Sequence, residues 1–224
     1  MSNLHKESEV FNTLLQKFLS LPKTNSNPTF MEICQMTGDR FEERCSQILR
    51  FFLTPNEAHG LRGLFLSSLL EVVARGDLSF SHNGTKVLTE EATEDRKFID
   101  ITVVADDFVI AIENKIGASL YNPLNSYVSH IKKTYSTRSN HIFVVLSARP
   151  ITDSAEISKI KRYDYYYVNY RTLFDTIKKN LGTYAIDADQ SYLAFLFDFI
   201  RTIENRTQLI IWNLNAFFTR TDAK

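Results

Sequence analysis

Between residues 39 and 53 the apolar positions Phe41, Cys45, Ile48, Leu49 and Phe52 recur at the spacing of one helix face. Thr54-Pro55-Asn56 stops that helix, because proline disfavours helical backbone in the residue before it. A second apolar helix is expected over residues 61–74, with Gly76 as its stop. Ahead of both, the polar stretch PKTNSNP reads as a loop that follows an N-terminal helix. The pattern then shortens to that of strands. Residues 86–93 form one candidate, and the β-branched runs FIDITVV and FVIAI form two more, joined by a tight turn at Ala105-Asp106-Asp107. Asn122-Pro123 opens a helix, with Asn122 as N-cap and Pro123 at the first helical position, running to about Tyr135. Residues 141–147 (HIFVVLS) and 163–168 (YDYYYV) read as further strands. Helices are expected over 170–181 and 189–203, and the apolar run 209–218 is expected to be helical too.

This order is helices, a β-meander, a crossover helix, a strand, a shorter crossover and a last strand. A helical connection between neighbouring strands implies parallel pairing. The fold class is therefore α/β, a sandwich around a mixed sheet of four or five strands, with N- and C-terminal helices. The expected division is a helix and loop over 1–30, a central domain over 31–205, and a helical segment over 206–224 that reads as the possible start of a further region. At 224 residues the chain is long enough to bury a sizeable core. Its formal net charge of zero argues against coating nucleic acid by bulk charge, although a local basic groove remains compatible with it. The two cysteines, Cys34 and Cys45, form no CxxC pair and read as free thiols of a reducing compartment. With no signal-peptide pattern and no bilayer-spanning stretch, the expected location is cytoplasmic, with no membrane partner.

The chemistry lies between Asp100 and Lys115. Side chains alternate faces along a strand, so Glu113 and Lys115 project together from a strand that is otherwise apolar. In a hairpin turning at 105–107, Asp100 falls opposite Glu113. Carboxylates are costly inside a sheet unless paired or metal-bound, and two that face each other raise each other's pKa. A divalent cation with a preference for oxygen, Mg²⁺ or Mn²⁺, removes the conflict, and the main-chain carbonyl of Asn114 offers a third oxygen. Lys115 is then placed to orient or help deprotonate a water on the metal, or to neutralise a phosphate. A buried ion-pair cluster without chemistry is the plain alternative.

These residues resemble the PD-(D/E)XK nuclease superfamily. Asp100 is the strand aspartate and Glu113-Asn114-Lys115 the (D/E)XK, with Ile99 where a proline usually precedes the aspartate. Two more stretches resemble a branch found in bacterial and phage genomes. One runs from Glu43 through Ser46 and Leu53 to Pro55, Asn56, His59 and Gly60. The other is Asn122 to Tyr127, where relatives carry Gln-Leu-x-x-Tyr; here Pro123 replaces the Gln, while Leu124 and Tyr127 match.

The resemblance implies a restriction-endonuclease-like core and a metal-dependent DNA endonuclease, in defence or mobile-element biology. It makes Asp100 and Glu113 metal ligands and Lys115 the catalytic lysine. Glu43 becomes the helical acidic residue that completes the site, with Glu42 expected to point elsewhere. Asn122 or Asn125 stands in for the missing Gln, and Tyr127 is either a substrate contact or core packing with a hydroxyl handle. His59 and Gly60 are expected to shape a loop. Lys132 and Lys133 at the end of the crossover helix are candidate phosphate contacts, as is the run Lys159, Lys161 and Arg162. A second function class is an inactive nuclease-fold module that binds nucleic acid or protein. A homodimer through the 209–218 segment is a further expectation.

Overall fold

The computed structural model describes residues 27–221, with side chains as far as residue 207. The helix expected before Pro22 lies outside the described residues, as does the side-chain packing of the 209–218 segment. Five strands form one sheet: β1 (Lys86–Ala92), β2 (Phe98–Val104), β3 (Phe108–Lys115), β4 (Asn140–Ser147) and β5 (Tyr165–Asn169). They lie side by side in chain order. β1–β2 and β2–β3 pair antiparallel, β3–β4 and β4–β5 parallel. Seven helices are described: α1 (Phe30–Ile33), α2 (Phe41–Leu53), α3 (Leu64–Val72), α4 (Leu124–Thr134), α5 (Ser154–Arg162), α6 (Tyr170–Tyr184) and α7 (Gln190–Thr221). The crossovers are α4 and α5, as parallel pairing requires.

The sheet separates two cores. On one face α2, α3, α6 and α7 bring Leu49, Phe52, Phe65, Phe174 and Phe199 against Ile101, Val103, Ile110, Ile112 and Val144. On the other, Leu124, Tyr127 and Ile131 of α4 and Ile160 of α5 cover Val109, Ala111, Phe143 and Val145. Full burial of such side chains contributes about 1.5–3 kcal/mol each over exposure. The central strand β3 has no exposed residue along its length.

Local rules account for most element ends. The turn between β2 and β3 closes with the Ala105 amide donating to Phe108 O at 2.9 Å. Helix α2 ends at Thr54, held extended before Pro55. His59 is fully buried behind it. Its Nδ1 accepts from the Leu61 amide at 2.9 Å, so Nε2 carries the proton and donates to Phe51 O and Thr54 O. Burial lowers its pKa, which keeps the ring neutral. Gly60 has φ +68, and a Cβ there would sit 2.3 Å from Asp187 O, so only glycine fits. This pair shapes a loop.

Two expectations change, and one element goes beyond them. Short helix α1 forms on a Thr29/Glu32 capping box. The two C-terminal helical segments merge into the single helix α7. Pro123, not Asn122, is the N-cap of α4, and no side chain caps it. The Asn122 amide is committed to Glu113 instead.

Helix α2 is tied to β3 by Asn114, whose side chain points to the α2 face. Its Nδ2 donates to Glu42 O at 3.1 Å and Ser46 Oγ at 3.0 Å, and its Oδ1 accepts from the buried Tyr170 hydroxyl at 2.7 Å. Tyr170→Phe leaves that buried oxygen unsatisfied and is expected to cost about 1–3 kcal/mol. Urea unfolding should show a lower midpoint at unchanged slope; an unchanged midpoint would mean that Asn114 does not depend on the hydroxyl.

Candidate active site

The β2–β3 ladder pairs Ile101 with Ile112 and goes no further, so Asp100 and Glu113 are the next residues beyond the last backbone pair. There the Asp100 side chain takes over from the backbone: its Oδ2 accepts from the Asn114 amide at 2.7 Å. The amide and carbonyl of one strand residue point to the same neighbouring strand. The Asn114 carbonyl therefore faces the Asp100 side, whereas the Lys115 carbonyl accepts from Ala148 on the β4 side.

Glu113 and Lys115 continue the face of Val109 and Ala111. Glu113 Oε1 pairs with Lys115 Nζ at 2.8 Å and accepts from Asn122 Nδ2 at 2.5 Å. Glu113 Oε2 is buried with no hydrogen-bond partner. Asn122 also donates to the hydroxyl of Tyr127 at 3.3 Å, and Tyr127 is otherwise packed in the second core. The Asn122–Tyr127 pair thus holds the buried carboxylate from the α4 side.

The helical carboxylate at this site is Glu42. Its Oε2 lies 3.5 Å from Lys115 Nζ, and its Oε1 accepts from the amides of Ile116, Gly117 and Ala118 at 2.8, 3.1 and 3.2 Å. Glu43, expected here, turns outward and pairs with Arg40 at 2.5 Å. The reason is helical phase. Glu42 falls in line with Ser46, Leu49 and Leu53, all buried against the sheet, at i+4, i+7 and i+11. That stripe was readable in the sequence and separates the two glutamates.

Lys132 and Lys133 lie in the last turn of α4, whereas its first turn borders the site. Lys133 is ion-paired to Glu94 there. Asn125 is exposed at the start of α4. Sequence reasoning missed a brace behind the loop that joins β3 to α4. Arg149 forks onto Glu156 at 2.6 and 2.9 Å and donates to Ala118 O at 3.3 Å. Glu156 accepts from the Leu120 amide at 2.6 Å, and the Lys159 ammonium holds the carbonyls of Leu120 and Asn122.

Three carboxylates thus surround one ammonium. Burial raises Asp100 to about 6, against the pull of Lys115 and the Asn114 amide. Burial, and then the charge of Asp100, raises Glu113 to about 7. Burial alone would lower Lys115, but Glu113, Asp100 and Glu42 outweigh it and raise it above the ordinary lysine range. For Glu42, burial acts upward, yet Lys115 and the three loop amides win and hold it low. The site therefore carries excess negative charge in a poorly solvated place, with an unpartnered carboxylate oxygen at its centre. Two carboxylates and one carbonyl suit a hard divalent cation. Among the described residues, no group of three or more His, Cys, Asp or Glu side chains is arranged to hold a metal.

A family model described as the PD-(D/E)XK nuclease superfamily matches residues 31–201. Comparison with curated proteins gives no match, and neither does comparison with solved structures. No helix among the described residues is long and apolar enough to cross a membrane. The mixed five-stranded sheet flanked by helices is a restriction-endonuclease-like fold. The family match takes in most of the 224 residues, including the whole sheet and the Asp100–Lys115 hairpin, and the chain belongs to the PD-(D/E)XK nuclease superfamily.

Proposed function

We propose that the chain is a divalent-metal-dependent nuclease that hydrolyses phosphodiester bonds of DNA. Mg²⁺ or Mn²⁺ would be held by Asp100, Glu113 and the Asn114 carbonyl. The observation that carries this reading is Glu113 Oε2, buried without a partner beside a second carboxylate. When bound, such a cation polarises a phosphoryl oxygen and lowers the pKa of a water beside it.

The protein's own groups divide the remaining work. Asn122 fixes Glu113 through Oε1 and leaves Oε2 available as a ligand. Lys115 is kept protonated by its carboxylate neighbours, so it meets an incoming phosphate as a cation and hydrogen-bond donor. Glu43 is expected from the sequence as a further metal ligand; Glu42 takes its place on the helix but acts as a positioning residue, anchoring the loop at 116–118 and holding Lys115 from the helix side.

The direct test is cleavage of supercoiled plasmid, single-stranded DNA and RNA with Mg²⁺ or Mn²⁺. DNA cleavage is expected, with losses of at least about a hundredfold in Lys115→Ala and Asp100→Ala. Folded intact protein that cuts none of these substrates would sink the reading in favour of a nuclease fold that binds without turnover.

The raised carboxyls give a second expectation. In metal-free protein Asp100 and Glu113 bind protons more tightly folded than unfolded. Their contribution is full at low pH and is lost as pH rises toward 6 and 7. Two groups have the opposite sign: Glu42 titrates below its ordinary value, outside this window, and buried His59 adds stability as pH rises toward 6.5, so the pair is read as the difference between wild type and Asp100→Asn. Urea-derived stability, taken relative to Asp100→Asn, should therefore fall between pH 5 and 8 by an amount on the order of a few kcal/mol. Added Mn²⁺ should restore more at pH 8 than at pH 5, and Asp100→Asn should flatten the profile. An Asp100→Asn profile parallel to that of the wild type in metal-free protein would contradict the buried pair.

A further inference from the structure

Three clefts differ in what their cations are already doing. In the one lined by Gly38, Arg40, Glu42, Gly117 and Arg206, both arginines are occupied. Arg40 pairs with Glu43, while Arg206 donates to Thr37 O and lies 4.6 Å over the Phe41 ring. In the one beside β1 and α4, Lys133 is paired with Glu94, and Asp95 adds a second carboxylate. The third is a cavity of about 450 Å³ between the start of α4 and the end of α5, and no acidic side chain lines it. Asn125, Ser158, Lys159 and Arg162 supply its polar wall, with Pro123 and Tyr163 beside them. Among the described residues, the side chains of Arg162, Ser158 and Asn125 make no ion pair or hydrogen bond.

This third cleft is also connected to the carboxylate cluster. The Lys159 ammonium holds the carbonyl of Asn122, and the amide of that same Asn122 holds Glu113. One residue therefore separates the cationic wall from the reacting edge of β3. A helix C-terminus attracts cations in any case, but that accounts equally for Lys161, which does not line the cleft.

We propose that this cleft binds an internal phosphate of the nucleic-acid strand whose scissile bond lies at Glu113 and Lys115. The proposal rests on the nuclease reading above. Arg162 provides a planar fork suited to phosphate oxygens, and Lys159 has a donor beyond the two carbonyls it holds. Asn125 and Ser158 add neutral donors. Such contacts fix register on the strand and read no sequence. Of the two basic clusters expected from the sequence, the proposal keeps Lys159 and Arg162, with Asn125 beside them at the near end of α4, and drops Lys132 and Lys133 at its far end.

The test is fluorescence anisotropy of a labelled oligonucleotide with the full chain in EDTA, repeated across salt concentrations. Arg162→Ala is expected to weaken binding on the order of tenfold and to reduce the salt slope by about one. Asn125→Asp, which adds an anion to the cleft without touching Lys159, should weaken binding as well. The Lys132→Ala/Lys133→Ala double variant should stay within about twofold of the wild type. Oligonucleotides with and without a 5′-phosphate should bind alike, because an internal phosphate is the ligand; affinity that depends on the end group would overturn that assignment. Unchanged affinity and slope in Arg162→Ala, or no binding by the wild type, would overturn the cleft itself. Binding that behaves as expected in a protein that never cleaves would retain the cleft and remove the nuclease reading, so the two failures are separable.

Discussion

Glu113 is a carboxylate on the inner strand of a sheet, on a strand with no exposed residue, and one of its oxygens has no partner. The structure around it is arranged by that constraint. Lys115 neutralises one oxygen from two residues along the same face, and Asn122 reaches back from the next loop to the same atom. Asp100 and Glu42 then add negative charge where a protein built only for stability would add positive. An ion pair held for stability alone would balance its charges, because an uncompensated buried charge costs several kcal/mol. The surplus here is the feature on which the metal-dependent reading proposed above rests.

The two faces of β3 carry separate polar networks. Asn114, between Glu113 and Lys115, turns to the opposite face and spends its whole side chain on α2 and Tyr170. That tether fixes the first turn of α2, and the first turn of α2 carries Glu42. The main chain of the same residue faces Asp100. One residue therefore couples the placement of the helix to the placement of the Asp100 carboxylate and the Asn114 carbonyl. The period-two alternation of a strand is what allows both without competition.

The loop after Lys115 holds its course through contacts with α2 on one side and α5 on the other. Glu42 gathers three consecutive amides at its start, and Arg149, Glu156 and Lys159 hold its middle and end. This bracing positions Asn122, and it leaves the cationic wall at Lys159 and Arg162 facing the start of α4. Site and cleft share one support, so geometry set by α5 reaches Glu113 through a single asparagine.

Much of this was legible in the sequence. β-Branched runs located β2 and β3, the helical connections implied the parallel strands, and the alternation of side chains brought Glu113, Lys115 and Asp100 together before any coordinates. These are local rules, and each acts within one element or one hairpin. What the sequence by itself did not decide was the choice between near-equals. Asn122 has the residue type of a helix cap, yet a buried carboxylate outcompetes the helix end for its amide. Glu42 and Glu43 are adjacent and chemically identical; the phase at which α2 packs on the sheet turns one inward and the other to Arg40. Lys132, Lys133, Lys159 and Arg162 are alike as charges, and their distance from Glu113 is set by which end of α4 meets α5. The sequence determined the elements, their order and the Asp100–Lys115 hairpin, because period and propensity are properties of neighbouring residues. Which of several equivalent side chains reaches that hairpin was decided only by the tertiary structure, because distance across a packed interface is a property of the whole chain.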